Sequence, residues 1–300
     1  LQYSIQQEQD QQDALLAITS DIADWLKRHT VEQNDSVNWM GFVATKSADH
    51  TRCQWVANDL YSGKSGIALS MAALAARHND PQLYTLVDCC LSNIENELLN
   101  HTAQQEYIGG MNGLGGMLYA LVFASNLLKR PINQDCVDLV SAQIERMISQ
   151  SSLFDLTSGL AGAVLAVDAV RNHLSTEQLN RILNQARTVF LENLTTQHEG
   201  VSWPIFNKHA MSGMAHGNAG IIAALAVLVE TYQDEQSIRL LQQAWDFEDS
   251  LFEPAHQHWA DLRNHIQASH SHQCASNTSW CYGAAGIGLS RWRIYHTSSS

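Results

Sequence analysis

Ser279-Trp280-Cys281-Tyr282-Gly283-Ala284-Ala285-Gly286-Ile287-Gly288 joins a cysteine to a glycine-rich opening of an apolar segment. The same opening, Gly-x-x-Gly followed by an apolar run, stands earlier at Gly63-Lys64-Ser65-Gly66, Gly113-Leu114-Gly115-Gly116, Gly159-Leu160-Ala161-Gly162 and Gly217-Asn218-Ala219-Gly220. Only the last copy carries a cysteine. A recurrence roughly every 45 to 65 residues is an internal repeat, and it sets the reading of everything around it.

Working outward, each apolar segment is followed by one of a different kind. Ile67 to Arg77, Gly109 to Leu128, Gly159 to Val170, Gly217 to Val229 and Gly283 to Arg291 are small and apolar, which suits helices buried on all sides. Pro81 to Asn100, Asn133 to Gln150, Ser175 to Leu194 and Asp234 to Phe252 are amphipathic at helical spacing, and Ser175-Thr176-Glu177-Gln178 opens its helix with a capping-box pattern. Asp13 to His29 predicts a further amphipathic helix. Asn34 to Asn58 reads as an irregular loop anchored by Trp39, Phe42 and Trp55, and strand alternation and hairpin turns do not recur with any regularity. Two kinds of helix in alternation predict an all-α architecture of two layers, an α/α toroid with apolar helices inside and amphipathic helices outside. An open solenoid of helix pairs carries the same alternation. The glycines are expected to let the inner helix ends crowd near a common axis, with their N–H groups aimed at whatever lies there.

Bulk properties exclude several function classes. With 300 residues and 45% hydrophobic content the chain can bury a large core, and the repeat favours one body. A formal net charge of −13, from 17 basic and 30 acidic residues, argues against a general nucleic-acid binder. No apolar run reaches the roughly 18 residues that span a bilayer, and the glutamine-rich start, Leu1 to Gln12, does not read as a secretion signal. A cytoplasmic protein is expected. The six cysteines are scattered apart from Cys89-Cys90, which does not suggest a disulfide framework; Cys89, Cys90 and Cys136 fall in apolar helical patterns as small buried residues. Gly63-Lys64-Ser65-Gly66 lacks the upstream glycine of a phosphate-binding loop.

In equivalent repeats, a chemically special residue present in one copy is a candidate for function. Asp155 precedes the third motif, His216 the fourth, and Cys281 with Tyr282 the fifth, so all four are expected to converge on one end of a central cavity. Asp155 reads either as a first-turn carboxylate facing the helix dipole or as an orienting or catalytic group. His216 reads as a satisfied buried histidine or as an acid/base, and Cys281 as a small buried residue or as a thiolate ligand or nucleophile favoured near a helix start. His270-Ser271-His272-Gln273-Cys274 lacks the paired cysteines of a structural zinc site and reads as a solvated polar loop folding over the cavity mouth. A toroidal glycosidase would need paired carboxylates, and Asp155 shows no partner at another inner-helix start.

Taken together, Leu60-Tyr61-Ser62-Gly63, Gly109-Gly110-Met111-Asn112-Gly113-Leu114-Gly115-Gly116, Asp155-Leu156-Thr157-Ser158-Gly159-Leu160-Ala161-Gly162, Ala215-His216-Gly217-Asn218-Ala219-Gly220 and Ser279-Trp280-Cys281-Tyr282-Gly283 resemble the lanthionine synthetase C-like cyclases, in particular the C-terminal cyclase region of class II lanthipeptide synthetases. The resemblance runs from about Trp39 to the end. It implies a single cyclase domain over 1–300, with a lead-in helix and loop at 1–58 and five Gly-motif repeats at 59–300 out of the family's seven helix pairs. It also implies a zinc-dependent enzyme that adds the cysteine thiol of a ribosomal precursor peptide to dehydroalanine or dehydrobutyrine, forming a thioether ring. Cys281 is then one of three zinc ligands, with the others expected beyond residue 300. His216 is the acid or base, Asp155 orients it or shares the proton, and Tyr282 lines the site. The basic residue that family members can carry just before the Trp-Cys pair is replaced by Asn277, Thr278 and Ser279. An N-terminal dehydratase domain is expected in the full-length protein, and the 300-residue piece alone is expected to be inactive and not to fold stably. The alternative is a non-catalytic helical toroid that binds peptides or acts as a scaffold.

Overall fold

The computed structural model describes residues 2–33, 36–44, 51–100, 105–205, 209–263 and 278–297. Helices and short hairpins follow one another as α1 (Gln2–Arg28), β1 (Val31–Gln33), β2 (Ser36–Asn38), β3 (Met40–Ala44), β4 (Thr51–Trp55), α2 (Lys64–His78), α3 (Pro81–Leu99), α4 (Leu114–Leu128), α5 (Gln134–Ile148), α6 (Leu160–Ala169), α7 (Thr176–Glu192), β5 (Thr195–Thr196), β6 (Val201–Ser202), α8 (Asn218–Tyr232), α9 (Glu235–Ser250), β7 (Phe252–Glu253), β8 (His258–Trp259) and α10 (Ala284–Thr297). The chain forms two compact units, one of residues 1–103 with 120–133 and one of residues 104–119 with 134–300.

The predicted alternation of helix types is present. In α8 every residue from Asn218 to Leu228 is buried, whereas α9 buries only Ser237, Leu240, Ala244, Phe247 and Glu248, one stripe of an otherwise polar helix. Sequence chemistry starts and stops these helices. Asp80 caps α3 by accepting from the N–H groups of Gln82 and Leu83 with Pro81 in the first turn, and Ser175 Oγ accepts from Gln178 N at 3.1 Å at the start of α7.

Two expectations for the first unit change. The stretch expected as an irregular loop holds the antiparallel β3–β4 hairpin, with Met40 paired to Trp55, and strand β2, whose Asn38 pairs with Val31 of the β1 strand just before it. Strand β4 is exposed along its length, so no buried face imprinted an apolar alternation on it. Of the three aromatic anchors, only Trp39 is buried, its Nε1 donating to the Leu26 carbonyl at 3.0 Å; Phe42 and Trp55 are exposed. The Lys64 of the first glycine motif is buried and ion-paired to Glu97 at 2.8 Å, which is a structural use of that lysine. In the second unit α8 packs against α6, α9 and α10, and α5 against α7. Among the described residues no helix is long and apolar enough to cross a membrane.

Candidate active site

The turns ahead of the inner helices are where the repeat does its positioning. In the second unit, residues two positions before each first glycine are linked in series: Met111 N donates to Thr157 O at 3.0 Å, Thr157 N to Ala215 O at 3.1 Å, and Ala215 N to Cys281 O at 3.0 Å. Thr157 Oγ1 adds a bond to the Ala215 carbonyl at 2.9 Å. Successive turns therefore lie side by side, and side chains at neighbouring positions of different repeats are brought together although some sixty residues of chain separate them.

Close backbone approach is what the glycines supply. A Cβ on Gly162 would lie 1.9 Å from the Leu156 carbonyl oxygen and 2.1 Å from Gly110 N, so no other residue fits between its own turn and the next. Gly66, Gly220 and Gly286 meet the carbonyl six residues upstream in the same way. Gly213, at φ +95°, sits against the Cα of Tyr282 and needs the left-handed region. The helix-start N–H groups do not point at an open centre as expected. Leu160 N and Ala161 N donate to the Leu153 and Phe154 carbonyls, Leu114 N to Tyr107, and Asn218 N to Met211, so each helix is capped by its own preceding turn.

On this frame Asp155 is buried and uses both oxygens. Oδ1 accepts from Ser158 N at 2.9 Å, and Oδ2 lies 2.6 Å from His216 Nδ1. A carboxylate only accepts, so Nδ1 is the donor and the imidazole presents Nε2 away from Asp155. One oxygen serves the turn ahead of α6, whose N-cap is Gly159 with no side-chain cap, and the other faces His216. The turn contact recurs in the first motif, where Asp59 Oδ1 accepts from Ser62 N at 2.7 Å. Asp155 thus shares its residue type with the first copy alone, since Gly109, Gly213 and Ser279 stand at that place in the others. What sets it apart is its burial and the histidine, since His216 occupies the place held by Ser62 and Ser158 in other copies.

The His216 ring, partly open to solvent, stacks on Tyr282 with centroids 5.8 Å apart and planes at 29°. Burial pushes the Tyr282 phenol up, and the Arg263 guanidinium, 3.8 Å from the ring centroid, works against that rise. Arg263 is itself clamped by Asp261, with Nη2–Oδ2 at 2.5 Å and Nε–Oδ1 at 2.9 Å; this hydrogen bonding, ahead of the field of Tyr282 and Cys281, holds the guanidinium above its ordinary range. Cys281 is half-buried beside Tyr282. Behind the turn, Glu248 of α9 is fully enclosed and accepts from Gly213 N at 3.1 Å, and burial pushes its carboxyl up to about 8.

Residues 54–299 match the model of the family described as Lanthionine synthetase C-like protein. This chain belongs to that family. Over 303 residues it is 23% identical to the Lacticin 481/lactococcin biosynthesis protein LcnDR2 of Lactococcus lactis subsp. lactis, a match that takes in 97% of this chain and 29% of that protein. The chain thus spans less than a third of the length of that curated relative. Among solved structures, a Nisin cyclase is similar with a TM-score of 0.58 and 16% identity, over 81% of this chain and 66% of that one. That likeness gives this lanthionine synthetase C-like chain the α/α-toroid fold class expected from the helix alternation.

All four residues singled out in the sequence, Asp155, His216, Cys281 and Tyr282, come together in the second unit. Two neighbours were not anticipated. Arg263 carries no local signal in the sequence, and it supplies a cation at Tyr282 where Asn277, Thr278 and Ser279 leave the expected basic position empty of charge. Glu248 did leave a trace, because it follows Leu240 and Ala244 at four-residue spacing on the buried stripe of α9. The His270 to Cys274 stretch lies outside the described residues. As for zinc, no cluster of three metal-ligating side chains that includes Cys281 exists among the described residues. One thiol is not a zinc site, so the donors among the described residues do not fit the ion by themselves.

Proposed function

We propose that this chain is the cyclase region of a lanthipeptide synthetase, a domain spanning 1–300 that closes thioether rings in a dehydrated precursor peptide. The observation that carries the reading is the His216 Nδ1 to Asp155 Oδ2 contact of 2.6 Å beside Tyr282 and Cys281, in a chain of this family. The likeness to proteins named for lacticin 481 and nisin supports a peptide substrate. By the relative's greater length, a dehydratase domain N-terminal to this region is part of the same proposal, as is a cytoplasmic location.

In the reaction a peptide cysteine S–H adds across the C=C bond of dehydroalanine or dehydrobutyrine. The sulfur bonds to the β-carbon, the π electrons move toward the carbonyl as an enolate, and the α-carbon is protonated. No oxidant, reductant or nucleotide is consumed, so the chemistry needs only proton handling and charge stabilisation. His216 Nε2 takes the thiol proton and returns it to the α-carbon, while Asp155 holds the imidazole in one tautomer and stabilises it when charged. Tyr282, its phenol kept protonated by burial, lines the site as a donor and as the face on which the imidazole rests. Cys281 would be one ligand of a zinc ion, the other donors being those expected beyond residue 300, and zinc held there would lower the pKa of the substrate thiol.

The test uses the complete protein and a dehydrated, cysteine-containing peptide, with ring closure counted by protection of the thiol from alkylation in mass spectrometry. His216→Ala is expected to slow closure about 10²- to 10⁴-fold, the usual contribution of a general acid/base, with peptide binding retained. Closure at the wild-type rate would remove His216 from the mechanism. Tight peptide binding without any ring in the wild-type protein would favour the non-catalytic scaffold instead.

A further inference from the structure

The β7–β8 hairpin brings three metal-ligating side chains to one place. Glu253 and His258 are directly paired across the two strands, and cross-strand partners project from the same face. The turn between them, Pro254 to Gln257, is tied back by His256 N and Gln257 N, which both donate to the Glu253 carbonyl at 3.1 and 2.9 Å, and Gln257 takes the left-handed conformation at φ 56°. That fold of the turn returns His256 over its neighbours. Its ring stacks on His258 at 5.4 Å between centroids and 20° between planes, and its Nδ1 lies 3.1 Å from Glu253 Oε2. The ligand atoms of all three residues fall within 4.8 Å of one another.

We propose that Glu253, His256 and His258 form a divalent-cation site of the zinc class, separate from Cys281. Two imidazoles and a carboxylate are a donor set that suits Zn²⁺, Ni²⁺ or Cu²⁺ and not Mg²⁺ or Ca²⁺, which take oxygen ligands. His258 already has the support that metal-bound histidines need. It is buried, and its Nδ1 lies 3.2 Å from the Trp259 carbonyl, which fixes the ring and presents Nε2 for coordination. His256 and Glu253 reach the surface, so an ion can enter and water completes its coordination.

The hairpin beneath is anchored, as a site must be. Phe252 and Trp259 pair across the strands at 4.7 Å, Arg291 of α10 lies 4.9 Å over the Trp259 ring, and the next residue, Ala260, accepts at 2.7 Å from Ser212 Oγ. One residue further, Asp261 clamps the Arg263 that covers Tyr282. A bound ion therefore staples the hairpin that leads into the Asp261–Arg263 pair.

Zn²⁺ alone, titrated by calorimetry into the wild-type protein, His256→Ala and Cys281→Ala, tests the assignment. His256 lies in an exposed turn, so its removal leaves the core intact. Wild type and Cys281→Ala are expected to share one Zn²⁺ equivalent that His256→Ala binds at least about tenfold more weakly, the loss seen even when a group one step from the metal is removed. Cu²⁺ bound to Cys281→Ala is expected to show two nitrogen ligands by electron paramagnetic resonance. Unchanged binding in His256→Ala, loss of the shared equivalent in Cys281→Ala, or no Zn²⁺ binding by the wild type overturns the proposal. None of these results depends on ring formation.

Discussion

Glu248→Gln isolates the effect of a buried carboxyl beneath the His216 turn. In the folded chain Glu248 is held near 8 against an ordinary 4.5, first by burial, with the Gly213 N–H and Arg291 pulling it down and Asp249 adding slightly to the rise. Its Oε1 is bonded to Gly213 N, and Oε2 has no partner among the described residues. Between those two values the unfolded chain has released a proton that the folded chain keeps. The folded state therefore loses stability as pH rises, by up to about 1.4 kcal/mol per pH unit. From pH 5 to pH 7 this amounts to about 3 kcal/mol. Gln is neutral at every pH and retains an acceptor for Gly213, so the variant lacks this component of the slope. Urea denaturation of both proteins at pH 5 and pH 7 measures it. The variant should gain about 3 kcal/mol on the wild type between the two pH values. A difference below about 0.5 kcal/mol, within the scatter of independent effects, would show that water or a charge reaches Glu248 and refute the reasoning.

Gly162→Ala forces a Cβ between the Leu156 carbonyl and Gly110 N, so the turns carrying Asp155 and Gly109 must separate; a loss of about 3 kcal/mol in denaturant unfolding is expected, with slowed ring closure, and a neutral result would show that these turns slide freely. In the first unit, Arg130 forks onto both Glu95 oxygens at 2.7 and 2.8 Å and reaches Asp88 at 2.6 Å, with Glu95 almost fully buried. Arg130→Met strands that carboxylate and is expected to destabilise by about 3 to 5 kcal/mol, whereas the double variant with Glu95→Gln should recover much of it. Equal stability of Arg130→Met and the wild type would show that water replaces the guanidinium.

The helix order was legible because local patterning writes it: apolar runs after each glycine motif, amphipathic runs between them, and caps such as Ser175 and Asp80 at their starts. So was the set Asp155, His216, Cys281 and Tyr282, since each stands at a fixed offset from a motif and the motifs stack. The hairpins were not legible, because exposed strands such as β4 have no buried face to impose alternation. The sequence by itself determined which residues occupy equivalent turns and which family the motifs resemble. Only the tertiary structure decided that Asp155 spends one oxygen on its own turn and the other on His216, that the helix-start N–H groups are consumed locally, and that Arg263 and Glu248 close on the same turns. These last pairings depend on distances between segments far apart in the chain, and such distances are set by the packing of whole helices, which no local pattern of residues records.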